Sequence, residues 1–188
     1  MKEEIEIKVF LKNPKEFEAN LLEKAIFIKE INQKDEYFTP KHKDFFAQIR
    51  VTEYPRIRYE YEESSIGYHF CHTDKDGNLI KTDEYETKIK DPKMMSNILK
   101  KLEMAHKVTV IKRRKIFDYK DFLIFIDRIK NLGCFVEIEA KNIKNTIHET
   151  KKECYNILNK FGAIWVDATN QGYPDMIISM KQSKILSL

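Results

Sequence analysis

The chain is expected to fold as an α+β domain built on a closed eight-stranded antiparallel β-barrel with flanking helices. Three observations carry this expectation. Charged and apolar side chains alternate with a period of two in several separate runs. These runs are short and joined by turn-forming residues. Helical periodicity appears only between or after them. Tight connections favour antiparallel pairing, and eight strands suffice to close a sheet on itself and remove its edges.

The first run spans Glu3 to Leu11, with Glu4, Glu6 and Lys8 on one face and Ile5, Ile7 and Val9 on the other. Pro14 then opens a helix to about Ala25, with Phe17, Leu21 and Leu22 as its apolar stripe. A long strand is expected from Ile26 to Phe38, followed by an irregular loop from Thr39 to Thr52 that carries Phe45 and Phe46. Arg56 to Tyr61 alternates again, Gly67 to Lys75 follows, and Asp76-Gly77-Asn78 signals a turn into a strand from Leu79 to Lys90. Asp91-Pro92 caps and starts a helix to roughly His106. Three strands come next, at Lys107 to Tyr119, Phe122 to Asn131 and Phe135 to Lys141. Thr146 to Phe161 reads as an amphipathic helix, with Ile147, Tyr155, Ile157, Leu158 and Phe161 available to its buried side. Trp165 to Ser179 reads as a short tail with at most one further helical turn.

Bulk properties narrow the function. The 188 residues suit a single domain, 1–188. Hydrophobic residues make up 42%, which excludes wholesale disorder, whereas 34% charged residues is high for a compact domain. The net charge of +4 is drawn from 34 basic and 30 acidic residues, a balance that argues against nucleic acid as partner. Cys71, Cys134 and Cys154 are too scattered for a disulfide framework and suit a reducing compartment. No signal peptide is expected from the charged opening segment, and the longest apolar run, Phe122 to Ile126, is too short to span a bilayer. A soluble, cytoplasmic protein is expected.

The charges occur as doublets at i, i+2: Glu4/Glu6 with Lys8, Arg56/Arg58, Thr73/Lys75, Glu84/Glu86, Lys112/Arg114 and Glu137/Glu139. Each doublet points to one side of its strand. Ile57, Ile111, Val136 and Ile138 fall on the opposite sides and suit packing beneath helices. One such doublet is an ordinary solvated strand face. Recurrence on separate strands instead suggests a lumen holding about four cations and about four carboxylates. Charge buried on that scale must be paired, hydrated or liganded. A triphosphate with divalent cations meets both needs: Arg and Lys match phosphate oxygens, and carboxylates hold Mg²⁺ or Mn²⁺.

Other constellations are weaker. His69-Phe70-Cys71-His72 puts His69 and Cys71 on one strand face, but no second cluster completes a zinc site. No Gly-rich phosphate loop and no G-x-S-x-G elbow is present. In Lys112-Arg113-Arg114-Lys115, alternation sends Arg113 and Lys115 to the outer or helix-facing side. Phe45, Phe46, Tyr59, Tyr61 and Tyr68 can stack a base, although core packing is the commoner fate of such residues.

The ordered series of these motifs resembles the CYTH superfamily, the triphosphate tunnel metalloenzymes, and within it the class IV adenylate cyclase-like branch. Glu4-Ile5-Glu6-Ile7-Lys8 resembles its E-x-E-x-K signature. Asp35-Glu36-Tyr37-Phe38, Arg56-Ile57-Arg58, Thr73-Asp74-Lys75, Glu84-Tyr85-Glu86, Lys112-Arg113-Arg114 and Phe135-Val136-Glu137-Ile138-Glu139 resemble its later strands. Gly172-Tyr173-Pro174-Asp175 is similar to its Tyr-x-Asp tail. The chain departs from the pattern at Asp83, at Asp76-Gly77 and at Glu53-Tyr54-Pro55.

The resemblance implies an eight-stranded tunnel in which Glu4, Glu6, Glu137 and Glu139, with Glu84 and Glu86, hold Mg²⁺ or Mn²⁺. It implies phosphate binding by Lys8, Arg56, Arg58, Lys75, Lys112 and Arg114, and an orienting role for Asp127. Glu4, Glu6, Lys8 and Asp127 would form the catalytic group. The implied reaction is ATP to cyclic AMP and pyrophosphate. The competing readings are a triphosphatase acting on inorganic, thiamine or nucleoside triphosphate, and a non-catalytic nucleotide- or polyphosphate-binding module. A closed barrel leaves its outer faces open to a homodimer.

Overall fold

The computed structural model describes residues 2–47, 51–142 and 146–186, so part of the expected loop from Thr39 to Thr52 lies outside the described residues. The elements in chain order are β1 (Lys2–Glu4), β2 (Glu6–Leu11), α1 (Pro14–Lys24), β3 (Ile26–Pro40), β4 (Glu53–Tyr59), β5 (Ser64–Thr73) and β6 (Leu79–Ile89). They continue with α2 (Pro92–Lys101), β7 (Met104–Tyr119), β8 (Phe122–Ile129), β9 (Gly133–Ala140), α3 (Ile147–Lys160), β10 (Trp165–Asp167) and α4 (Tyr173–Leu186). The protein is α+β with antiparallel ladders, and among the described residues ten strands stand where eight were expected. Closure into a barrel is not among the ladders described.

The chain divides into two compact units. The first comprises Met1–Glu3, Asn32–Ile111 and Asn170–Leu188; the second comprises Glu4–Ile31 and Lys112–Thr169. The long strands β3 and β7 contribute one part to each. Within the first unit the ladder order is β1-β6-β5-β4-β3-β7, and within the second it is β3-β7-β8-β9-β2-β10.

The second unit shows why period two matters. Ile7, Val9, Leu11, Phe117, Ile124, Ile126, Val136 and Ile138 lie on one face of its strands and are buried beneath α1 and α3. The helices supply Phe17, Leu21, Cys154, Ile157, Leu158 and Phe161, and Phe17 meets Phe161 edge to face at 6.4 Å. Fully burying side chains of this kind stabilises by about 1.5–3 kcal/mol each. Leu22, expected in the buried stripe of α1, is exposed instead. Thr146 and Glu149 form a reciprocal capping box that starts α3.

The tail departs most from expectation. β10 pairs with β2, matching Trp165 to Leu11 and Asp167 to Val9, and α4 runs for 14 residues. In the first unit, Asp91 accepts a hydrogen bond from Met94 N at 2.8 Å, as a cap should. α2 ends at Lys101 rather than near His106, because Glu103 takes a left-handed conformation (φ 64°) and β7 starts at Met104. Ile111, expected to pack under a helix, is exposed. Among the described residues no helix is long and apolar enough to cross a membrane.

Candidate functional site

In the second unit the charged face lies opposite the apolar core. The register of β2 and β9 sets Glu6 against Glu139 and Lys8 against Glu137. β8 sets Asp127 against Arg114 of β7. Side chains on this face then meet across strands. Lys8 Nζ lies 3.2 Å from Glu137 Oε1 and 3.9 Å from Glu6 Oε1. Arg114 donates from Nε to Asp127 Oδ1 at 2.6 Å, from its terminal nitrogen to Asp127 Oδ2, and also to Glu137. Lys112 Nζ sits 3.4 Å from Asp127 Oδ2, and the Arg114 guanidinium lies 4.3 Å over the Phe125 ring.

All of these side chains except Glu6, which is one-fifth exposed, are nearly excluded from solvent; Asp127 is fully buried. Burial, then the charge of Glu137, raises the Glu6 carboxyl from 4.5 to about 7. Burial would also raise Glu137, but Arg114, Lys8 and Lys112 outweigh it and hold that carboxyl well below 4.5. The β2–β10 region fixes the backbone beneath Lys8. Lys8 N–H donates to Thr169 Oγ1 (3.1 Å), and Thr169 Oγ1 donates back to Lys8 O (3.2 Å).

The first unit carries a separate charged face. Tyr37, Arg56, Gly67 and Glu86 are matched across β3, β4, β5 and β6; Asp35, Arg58 and Ser65 form the next row, and Tyr54, His69 and Glu84 another. Arg58 grips Asp35 with two hydrogen bonds of 2.9 Å. Arg56 donates to Glu86 Oε2 at 2.8 Å. His69 Nδ1 lies 2.8 Å from Glu84 Oε1. Burial, and then the Arg56 charge, push the His69 pKa below its ordinary value against the pull of Glu84.

The expected site residues thus fall into two groups. Glu6, Lys8, Lys112, Arg114, Asp127, Glu137 and Glu139 share the second unit's face; Glu4 belongs to the same unit, as the last residue of β1. Arg56, Arg58, Glu84 and Glu86 share the first unit's face. Lys75 joins neither group. The β5–β6 register shifts between His72 and Thr73, and Lys75 lies exposed in the following turn. His69 holds the position on β5 that places a side chain on the inner row, and sequence reasoning weighed it only as a zinc ligand. Its signal was its even spacing from Ser65 and Gly67.

Of the base-stacking candidates, Phe45 and Phe46 are half-buried, and the three tyrosines are engaged or exposed. Tyr59 donates to Glu36 (2.8 Å), Tyr68 donates to Glu53, and Tyr61 is fully exposed. Lys115 turns to Glu18 of α1, the helix-facing outcome expected for it.

Among the described residues, no three His, Cys, Asp or Glu side chains already stand together as a metal-binding group. The second unit's carboxylates nevertheless suit a hard divalent cation. Their donor atoms are all oxygens, and the Glu6 carboxylate, disfavoured first by burial and then by the charge of Glu137, is one that a bound cation would stabilise.

Residues 2–173, which reach into both units, match the CYTH domain model. A Methanocaldococcus jannaschii protein named as a putative adenylate cyclase is 32% identical over 162 residues, covering 83% of this chain and 89% of that protein. A Pyrococcus horikoshii structure superposes with a TM-score of 0.79 at 21% identity, covering 94% of this chain and 99% of that one. A Hippeastrum structure, of a putative adenylyl cyclase described as having a dominant triphosphatase activity, gives a TM-score of 0.65 at 17% identity, with 88% and 90% coverage. The family match runs through all the charged doublets of these strands and makes this chain a member of the CYTH domain family.

Proposed function

We propose that the protein is a divalent-metal-dependent enzyme acting on a triphosphate, with ATP cyclisation to cyclic AMP and pyrophosphate as its reaction. One observation carries the reading: Lys8, Lys112 and Arg114 share a nearly solvent-free face with Glu6 and Glu137. Such a face favours a ligand that is itself strongly charged and brings a counter-cation. The closed barrel implied by the family resemblance belongs to the same proposal.

In this reading Glu4, Glu6, Glu137 and Glu139 hold Mg²⁺ or Mn²⁺. A bound cation of this type polarises phosphoryl oxygens and neutralises their charge. Lys8, Lys112 and Arg114 bind phosphate oxygens, and Asp127 keeps the Arg114 fork in its plane. Glu84 and Glu86 already engage His69 and Arg56, so they shape the first unit's face rather than the metal set. In cyclisation the ribose 3′-oxygen bonds to the α-phosphorus, its proton passes to solvent water, and the bond from that phosphorus to the bridging oxygen breaks to release pyrophosphate. The cations on the strands stabilise the charge that develops on the leaving group.

Hydrolysis of a triphosphate is the second reading, favoured by the triphosphatase activity described for the Hippeastrum protein. The two separate by product. The purified protein is incubated with ATP in Mg²⁺ and in Mn²⁺, and products are resolved by chromatography. Cyclic AMP with pyrophosphate supports cyclisation. ADP with phosphate, or rapid cleavage of inorganic or thiamine triphosphate alone, moves the assignment to hydrolysis. Metal-dependent binding with no product from any of these substrates would make it a binding module.

A further inference from the structure

Among the buried polar atoms of the first unit that have no hydrogen-bond partner are Nε of Arg56 and Nε2 of His69. Such atoms are rare in folded proteins because each loses hydration with nothing in exchange. Gly67 stands opposite Arg56 and two residues before His69, and both side chains flank Glu86 Oε2, 2.8 Å from an Arg56 terminal nitrogen and 4.0 Å from His69 Nε2. A Cβ on Gly67 would lie 3.0 Å from His69 Nε2 and 3.2 Å from Glu86 Oε2. Glycine therefore lets His69 and Glu86 close in on the β5 backbone, where a side chain would collide with them.

The neighbours fix what each atom can do. A carboxylate accepts, so His69 Nδ1 donates to Glu84 and Nε2 presents its lone pair. Tyr54 stacks on the ring at 5.0 Å and 18°, holding its plane. Glu86 Oε2, 4.0 Å from Nε2, is another acceptor and cannot satisfy it. Arg56 commits a terminal nitrogen to Glu86, which leaves Nε–H as a donor. The pair thus asks for an acceptor and a donor side by side. A fully ionised phosphate meets only the first.

We propose that Arg56 and His69 form a two-point receptor for a sugar phosphate: Arg56 Nε–H donates to an anionic phosphoryl oxygen, and His69 Nε2 accepts from an adjacent sugar hydroxyl. His69 then determines specificity for nucleotides over inorganic polyphosphate. The inference rests on the reading that the protein binds triphosphates.

The test measures affinities by calorimetry in Mn²⁺. The ligands are methylene-bridged analogues of ATP, of its 2′-deoxy and 3′-deoxy forms, and of inorganic triphosphate. The folded protein should bind the ATP analogue at least about tenfold more tightly than one of the deoxy forms. His69→Asn keeps a donor toward Glu84 but withdraws the distal acceptor. It should erase that preference and leave inorganic triphosphate within about twofold. His69→Gln, which returns an acceptor near the Nε2 position, should restore part of it. Equal weakening of every ligand by His69→Asn, or no change at all, would overturn the proposal. So would equal binding of all three nucleotides by the unaltered protein, a result that needs no variant to fold. Binding of triphosphates without hydroxyl dependence sinks this inference alone, whereas no binding of any triphosphate sinks the functional reading as well.

Discussion

Lys8 and Glu137 stand opposite each other across the β2–β9 ladder, with Lys8 Nζ 3.2 Å from Glu137 Oε1, while Arg114 holds the other carboxylate oxygen. One carboxylate thereby joins cations from two strands, in a place with little water. Removing it leaves both cations undercompensated. Glu137→Gln should cost about 3 kcal/mol in urea unfolding and lower metal-dependent triphosphate affinity at least about tenfold.

Asp127 is the anchor of the same face, fully buried beneath Arg114 and Lys112. Asp127→Asn should destabilise by about 3–5 kcal/mol. Asp118→Asn makes the control, because Asp118 pairs with Lys141 at 2.8 Å with both side chains about one-third exposed. Its effect should stay within about 1 kcal/mol. Denaturation curves of the two variants compare a buried anchor with a surface pair.

Glu6 gives a dependence on pH. Its folded pKa is raised to about 7 from 4.5, so between these values the folded chain holds a proton that the unfolded chain releases. Stability should therefore fall as pH rises from 4.5 to about 7 and be level above it, by no more than about 3 kcal/mol. Glu6→Gln should remove that slope, be as stable as the parent or more so at pH 8, and lose metal-dependent turnover. A melting series across pH, paired with the product assay, checks both halves. A variant with unchanged slope and full turnover would contradict the placement of Glu6.

Lys75 and Gly67 separate pattern from geometry. Lys75 lies exposed in a turn, so Lys75→Ala should leave triphosphate affinity within about twofold. Gly67→Ala adds a methyl group against His69 and Glu86. It should cost about 1–3 kcal/mol and weaken nucleotide binding more than Lys75→Ala does.

Thr169 ties the tail to the site. Its hydroxyl makes two buried hydrogen bonds with the backbone of Lys8. Thr169→Val should destabilise by about 1–3 kcal/mol and loosen Lys8, seen as faster amide exchange at that residue.

Much of this was legible in one dimension. Alternation alone placed Glu6, Lys8, Lys112, Arg114, Glu137 and Glu139 on charged strand faces, because side chains on a strand change sides at every residue. The order of the doublets was enough to recognise the family. Pro14 and the Asp91-Pro92 cap placed the starts of α1 and α2, since those signals act within a few residues. Only tertiary structure decided the rest. Which cation meets which carboxylate depends on ladder register, a relation between residues far apart in sequence. Thus Arg114 binds Asp127 and Glu137, and Arg58 binds Asp35, although nothing local distinguishes these partners. A register shift after His72 removes Lys75 from the pattern it seemed to continue and leaves His69 on the inner row. The strand at Trp165–Asp167 exists because β2 offers it an edge. Three residues carry too little propensity to declare it alone. Local chemistry set the faces, and the packing of distant strands chose the partners.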